Sequence, residues 1–227
     1  MAGSGLCQDV KKTKKASEKV FEEPPSWDVT CEVFSLSLSE AAKLKRMRKT
    51  DAQDYAGLVK RVESGKVKQE EFLMLRVVEG SSTALEEVSE MIYPTEFEPP
   101  ELPNEIHNLS EDLEKARMLV TPATPSAFDT KYVGSMMEVE LEVNEEGSVE
   151  VASALTLVSY LGVQVWGQGL AEVEMPRFAV QSVKTSLKVK PDSATLMGSV
   201  SPPEALQPKD GERRVWLAFV TVSKSKD

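Results

Sequence analysis

A chain with one histidine, two cysteines and 6% aromatic residues in 227 is poorly supplied for most catalytic chemistry. The histidine, His107, sits in a Pro-flanked stretch with no second histidine or cysteine nearby, so neither a general base with a partner nor a zinc site is indicated. Cys7 and Cys31 form no CxxC spacing and are too few for a disulfide framework; one bridge between them is compatible with the sequence but not required by it. Cys31 alternates with Val29 and Val33, the pattern of a small buried side chain on a strand. No serine has a GxSxG context, and the GxG of Gly167 and Gly169 lacks the further glycine or lysine and the helix of a phosphate cradle.

Excess positive charge is also missing. The formal net charge is −10, which disfavours a nucleic-acid backbone as partner. The one basic cluster, Lys11, Lys12, Lys14 and Lys15, has no aromatic residue among it and reads as a solvated arm. No run of about 18 apolar residues exists, so no helical membrane span is expected. Met1 to Cys7 lacks the charged and apolar regions of a signal peptide, and we read the numbering as beginning after a removed export signal. Adjacent acids such as Glu22 and Glu23, Glu86 and Glu87, Glu111 and Asp112, or Glu145 and Glu146 are read as solvated faces, since neighbours on a strand point to opposite sides. The Asn144, Glu145, Glu146 loop lacks the aspartate spacing of a calcium loop. The expectation is a protein that is not an enzyme and takes no cofactor or metal.

What is present is alternation. Residues 1–26 form a polar arm with the pair Pro24 and Pro25, and from Trp27 one strand face carries Trp27, Val29, Cys31 and Val33 and the other Thr30, Glu32, Phe34 and Leu36. Leu44, Met47, Tyr55, Leu58 and Val62 then recur at helical spacing, with Ser39 as N-cap, a break at Thr50 and Asp51, and an end near Ser64 and Gly65. Phe72 to Val78 and Thr83 to Ile92, separated by Gly80 and Ser81, predict a hairpin. Six prolines between Tyr93 and Pro125 predict a long surface excursion holding a short helix at Ser110 to Met118.

Met137, Val139, Leu141 and Val143 alternate with Glu138, Glu140 and Glu142, turn at Asn144 to Gly147, and return through Val149, Val151, Leu155 and Leu157: a hairpin with one buried and one acidic face. Gly162, Gly167, Gly169 and Pro176 bound an expected flexible connection. Phe178 to Val189, with a phase switch near Ser182 that predicts a bulge, Ala194 to Val200 and Arg214 to Val222 add three strands. The fold class is α+β, an amphipathic helix packed with a mixed or antiparallel sheet, divided into an arm (1–26), an α+β half (27–125) and an antiparallel β half (126–227).

Two stretches carry a resemblance. Val133-Gly134-Ser135-Met136-Met137-Glu138-Val139-Glu140-Leu141, with Asn144 to Val151 including Gly147 and Val149, is similar to the VGxxLxVxPxVxxDGxVxLxL hairpin of the secretins. Pro176, then Val183, Thr185, Leu187 and Val189, then Gly198, resemble that family's PxxxxRxVxTxVxVxdGxTxxlGG strand pair. Looser matches at Trp27 to Ser35, Glu79 to Ala84 and Tyr93-Pro94 extend the resemblance over roughly Trp27 to Ser223.

Secretins are ring-forming outer-membrane channels of type II and type III secretion and of type IV pili. The resemblance implies a structural or docking protein of the bacterial envelope, in the periplasm or outer membrane, with protein partners from a secretin ring or pilus and with self-association compatible with open sheet edges. The hairpin lacks the family's proline, Pro191 and Asp192 replace the glycine turn, and Gly198-Ser199 replaces the paired glycines. Tyr160 to Met175 is too short for two membrane-inserting strands of about ten residues each, so a channel lining is not expected. Two other readings remain open: a ligand-binding or hydrolytic domain using the Pro-rich loop near Tyr93, Glu96 and His107, and a pilin-like subunit, which would ordinarily need a long apolar N-terminal helix.

Overall fold

The computed structural model describes residues 25–101, 120–144, 147–209 and 211–226. Residues 1–24 of the arm, with Cys7, and His107 and the helix expected at Ser110 to Met118 lie outside them, as do Glu145 and Glu146, while Ser26 already belongs to the first strand. The elements run β1 (Ser26–Ser37), α1 (Leu38–Arg46), α2 (Asp51–Glu63), β2 (Lys68–Val78), β3 (Ser82–Glu98), β4 (Thr124–Val143), β5 (Val149–Trp166), β6 (Val173–Val189), β7 (Thr195–Val200) and β8 (Arg214–Lys224).

β1 explains the layering. Trp27, Val29, Cys31 and Val33 face one core, and the alternate positions Phe34 and Leu36 face a second core on the opposite side; the register shift at Val33 and Phe34 is an extra residue in β2, while the pairing of β1 with β8 runs through unbroken. A strand buried on both faces needs cover on both. β1 therefore lies within a four-stranded sheet, order β2-β1-β8-β7, packed on one side against a second sheet, order β3-β4-β5-β6, and on the other against α1 and α2. β8 is buried in the same way, from Trp216 through Val220. All strand pairings among the described residues are antiparallel, so of the two sheet types expected only the antiparallel one is found.

Both helices begin on capping boxes. The Thr50 hydroxyl accepts from the Gln53 backbone amide and the Gln53 Oε1 accepts from the Thr50 backbone amide, which places the break where Thr50 and Asp51 predicted it. The cap of α1 is Ser37, not Ser39: Ser37 and Glu40 form the reciprocal pair, whereas the Ser39 hydroxyl is drawn to Glu212 at 2.8 Å.

Four further expectations change. Phe72 to Val78 and Thr83 to Ile92 do not pair with each other; the Glu79–Ser81 turn carries the chain from one sheet to the other, because the inward residues of both strands, Leu73, Leu75 and Val77 against Leu85, meet across the inter-sheet core. The surface excursion is shorter at both ends: β3 continues to Glu98 and β4 starts at Thr124, with Pro94 accommodated in an edge strand beside a register irregularity. The connection expected at Tyr160 to Met175 is strand as far as Trp166↔Val173; Gly162, at φ 93°, sits in a β5 bulge and Gly167 and Gly169, both at positive φ, form the turn. The bulge thus lies in β5 rather than near Ser182, and β6 pairs without a shift from Phe178 to Val189. The division at residues 125 and 126 falls inside β4, and each sheet draws strands from both sides of it.

Candidate functional site

Of the residues singled out by the motifs, all but Gly198 lie on the second sheet or its β4–β5 turn; Gly198 lies on β7 of the first sheet, so the strand pair expected from the second motif is split between the two sheets. Val139, Leu141, Val149, Val151 and Val189 are buried in the inter-sheet core, with Val183 and Leu187 packed against it and Val133 and Thr185 half-buried. In β4 and β5 they pair as the alternation predicts, Leu141↔Val151 and Val143↔Val149, around a turn in which Ser148 N–H donates to Asn144 Oδ1 at 2.8 Å and Gly147 adopts φ 76°. Pro176 pairs with Val163 across β5 and β6. Gly198 marks a register shift between β7 and β8, and a Cβ there would stand 3.1 Å from Val183. Gly134, at φ 139°, lies so close to β3 that a Cβ would meet the Glu87 carbonyl oxygen at 2.2 Å.

Gly134 is also where the sheet divides. Gly134↔Val158 is the last pair between β4 and β5 at this end. Beyond it β3 with β4 and β5 with β6 continue as two hairpins, touching through the Tyr93 and Phe178 rings, 5.5 Å between centroids, and through Ala123 N–H donating to the Leu170 carbonyl at 2.8 Å. Large apolar side chains stay exposed on both: Ile92 and Phe128 on one, Val163, Val165 and Trp166 on the other. Sequence reading missed this pair of hairpins because glycine and proline masked the alternation; the signal was in Tyr160, Val163 and Val165, whose spacing is that of a strand with one extra residue.

The lower half of the same sheet is charged outside. Glu138, Glu140 and Glu142 project from β4 and are exposed, and Glu150 of β5 pairs with Lys188 of β6 at 3.0 Å. Among the described residues β3 and β6 bound the sheet and each pairs on one side only.

Ionisable groups inside the molecule serve the packing. Burial pushes the Cys31 thiol up to about 12, with its Sγ 3.7 Å from Met197 Sδ. Burial, then the hydrogen bond it donates to Glu32, pushes Tyr55 up to about 12. Glu32 also accepts from Gln69 at 2.9 Å, so its buried carboxylate ties α2 and β2 to β1. Lys45 spans Asp51 and Asp54 at 3.0 Å each, locking α1 to α2.

Glu71 is different. On β2 it pairs with Val33 on the inter-sheet face, where Ser135 donates a hydrogen bond to it; desolvation first, and then Glu87 and Glu70, raise its carboxyl above the usual range despite that bond and Lys68. A raised acid binds its proton more tightly folded than unfolded. Its stabilising contribution is complete below the ordinary glutamate range and is lost as pH rises through the elevated value. Glu71→Gln is therefore expected to be more stable than the parent at neutral pH, the difference closing below about pH 4. Urea unfolding at the two pH values reads this, and an equal gap at both would count against the assignment.

Among the described residues no group of three or more His, Cys, Asp or Glu is arranged to hold a metal, and no helix is long and apolar enough to cross a membrane. No family model matches the chain and no curated protein matches it. Solved structures similar to it include secretins. The InvG secretin domain β-barrel of the Salmonella injectisome has 10% identity and a TM-score of 0.45, covering 89% of this chain and 64% of that one. The type IV competence pilus secretin PilQ of V. cholerae has 10% identity and a TM-score of 0.47, covering 92% and 63%. The type II secretin GspD of enteropathogenic Escherichia coli has 12% identity and a TM-score of 0.38, covering 89% and 66%. The chain thus spans just under two thirds of each.

Proposed function

We propose that this chain is a non-enzymatic structural and docking protein of the bacterial cell envelope, secretin-like, working with a secretion apparatus or a type IV pilus in the periplasm or outer membrane. The observation that carries the reading is a single sheet of four long antiparallel strands, 17 to 20 residues each, in which the first motif and the Pro176 to Val189 part of the second lie side by side as β4, β5 and β6. Edge strands of that length present unpaired backbone groups, and strand addition by another protein satisfies them. The residues of the secretin-like motifs contribute to the inter-sheet packing and the β4–β5 turn, and so support the sheet that would receive a partner.

The reading is tested by cross-linking the tagged chain in envelope fractions of its source cells and identifying what it captures. Recovery of a secretin or a pilus component is the expected result. Capture of cytosolic proteins alone would sink the proposal, as would a hydrolytic activity abolished by His107→Ala.

A further inference from the structure

The helix layer carries charge of the opposite sign to the chain as a whole. Residues 38–63, which are α1, α2 and their connection, hold seven basic side chains against four acidic ones in a protein of formal net charge −10. The two helices run antiparallel, tied at one end by Arg61 to Glu40 and at the other by Lys45 to Asp51 and Asp54. Three of the four acids are thereby neutralised within the pair. Among the described residues Lys43, Arg46, Arg48 and Lys49 form no ion pair, and all four are exposed.

Between the tied ends lies a groove of about 310 Å³. Leu44, Met47 and Leu58 give it an apolar lining, Lys43 and Lys49 line it with charge, and the Gly57 backbone stands open to it. Gly57 is exposed in the middle of α2, and nothing lies within 4 Å of where its Cβ would stand. A mid-helix glycine costs about 1 kcal/mol relative to alanine, and at this position neither a positive φ nor a close approach within the chain calls for one. The room it leaves faces solvent and is open to a molecule from outside.

We propose that the groove between α1 and α2 docks an acidic peptide segment of a partner protein, with one apolar side chain seated over Gly57 and flanking carboxylates meeting Lys43 and Lys49. A small anion would leave Leu44, Met47 and Leu58 unused, and a flat lipid surface would not fill a concave site between two helices. A volume at the lower end of the range for ligand clefts, about 300–1,000 Å³, suits a single anchoring side chain with its neighbours. The ion pairs at both ends hold the groove in shape before anything binds, which lowers the ordering cost of docking. The helices cover the side of the first sheet that faces away from the second, so this surface is separate from the strand edges of the second sheet and its occupant does not compete with strand addition there.

Selection of random peptides of about twelve residues on the immobilised full chain tests it. Enriched peptides are expected to carry aspartate or glutamate on both sides of an apolar residue. A synthetic copy of the strongest is expected to bind more weakly as salt is raised from about 0.1 M to about 1 M, where the screening length shortens from about 10 Å to about 3 Å. Gly57→Leu, which puts a side chain into the open room, is expected to be at least as stable as the parent in urea, yet to bind that peptide at least about tenfold more weakly. Joint substitution Lys43→Glu and Lys49→Glu, at exposed positions, is expected to weaken binding at least as much. Enrichment of basic or uncharged peptides, no enrichment, or full binding by either variant overturns the proposal. So does retention of the parent on phosphatidylglycerol vesicles that Gly57→Leu abolishes, which would make the occupant a lipid. None of these readouts depends on what cross-links to the chain in envelope fractions, so the two proposals fail separately.

Discussion

Gly134→Ala is expected to lose about 3 kcal/mol or more of folding stability, because the new methyl would stand 2.2 Å from the Glu87 carbonyl oxygen in a backbone conformation, φ 139°, that only glycine adopts freely. The obstacle is backbone, so no rotamer relieves it; β3 must move from β4, and pairs from Glu87↔Ser135 upward should lose hydrogen-exchange protection first. Gly57→Ala is the control: nothing lies within 4 Å of its Cβ position in the middle of α2, and the substitution should stabilise by about 0.5–1 kcal/mol. Chemical denaturation of the two variants separates a close-approach glycine from one that merely weakens a helix. A Gly134→Ala protein as stable as the parent would mean that β3 does not cross β4 where described.

Phe34→Ala is expected to be of similar size. Phe34 is fully buried where the helices meet the first sheet, its ring 5.9 Å from Tyr55 and 6.0 Å from Phe219 in edge-on contacts. Truncating such a side chain costs about 3–5 kcal/mol, a fall in melting midpoint of roughly 10 °C for a domain of this size. Its signature is local: α2 should lose exchange protection while the inter-sheet core, whose residues form a separate cluster, keeps it. Uniform loss across both clusters would show that the two cores unfold as one unit.

Those two positions differ in how far the sequence announced them. Phe34 was legible: it continues a strand pattern in the opposite phase to Val33, and a strand with apolar residues on both faces needs cover on both. The need for glycine at 134 was not, because it arises from the approach of a chain segment some fifty residues away. The β4–β5 hairpin was legible for the reason Phe34 was, strict alternation closed by a turn whose Asn144 and Gly147 supply the side-chain bond and the positive φ it requires. The upper hairpins were hidden because a β-bulge at Gly162 shifts the phase by one residue, so a strand reads as an interruption. The Glu71 site was invisible for a different reason: Val33, Glu87 and Ser135 come together only across two sheets.

By itself the sequence determined the elements: alternation, helical spacing, caps and turns are local, fixed by residues within a few positions of one another. It also determined the acidic face of β4 and the scarcity of catalytic side chains. Which strands pair was decided only by the tertiary structure. β2 and β3 are adjacent in sequence and meet at a turn that reads as a hairpin, yet they lie in opposite sheets, with Leu73, Leu75 and Val77 of β2 and Leu85 of β3 facing the shared core instead of the strands sharing a hydrogen-bonded ladder. Apolar area gained between layers is a sum over the whole core, and no short window of the sequence contains it.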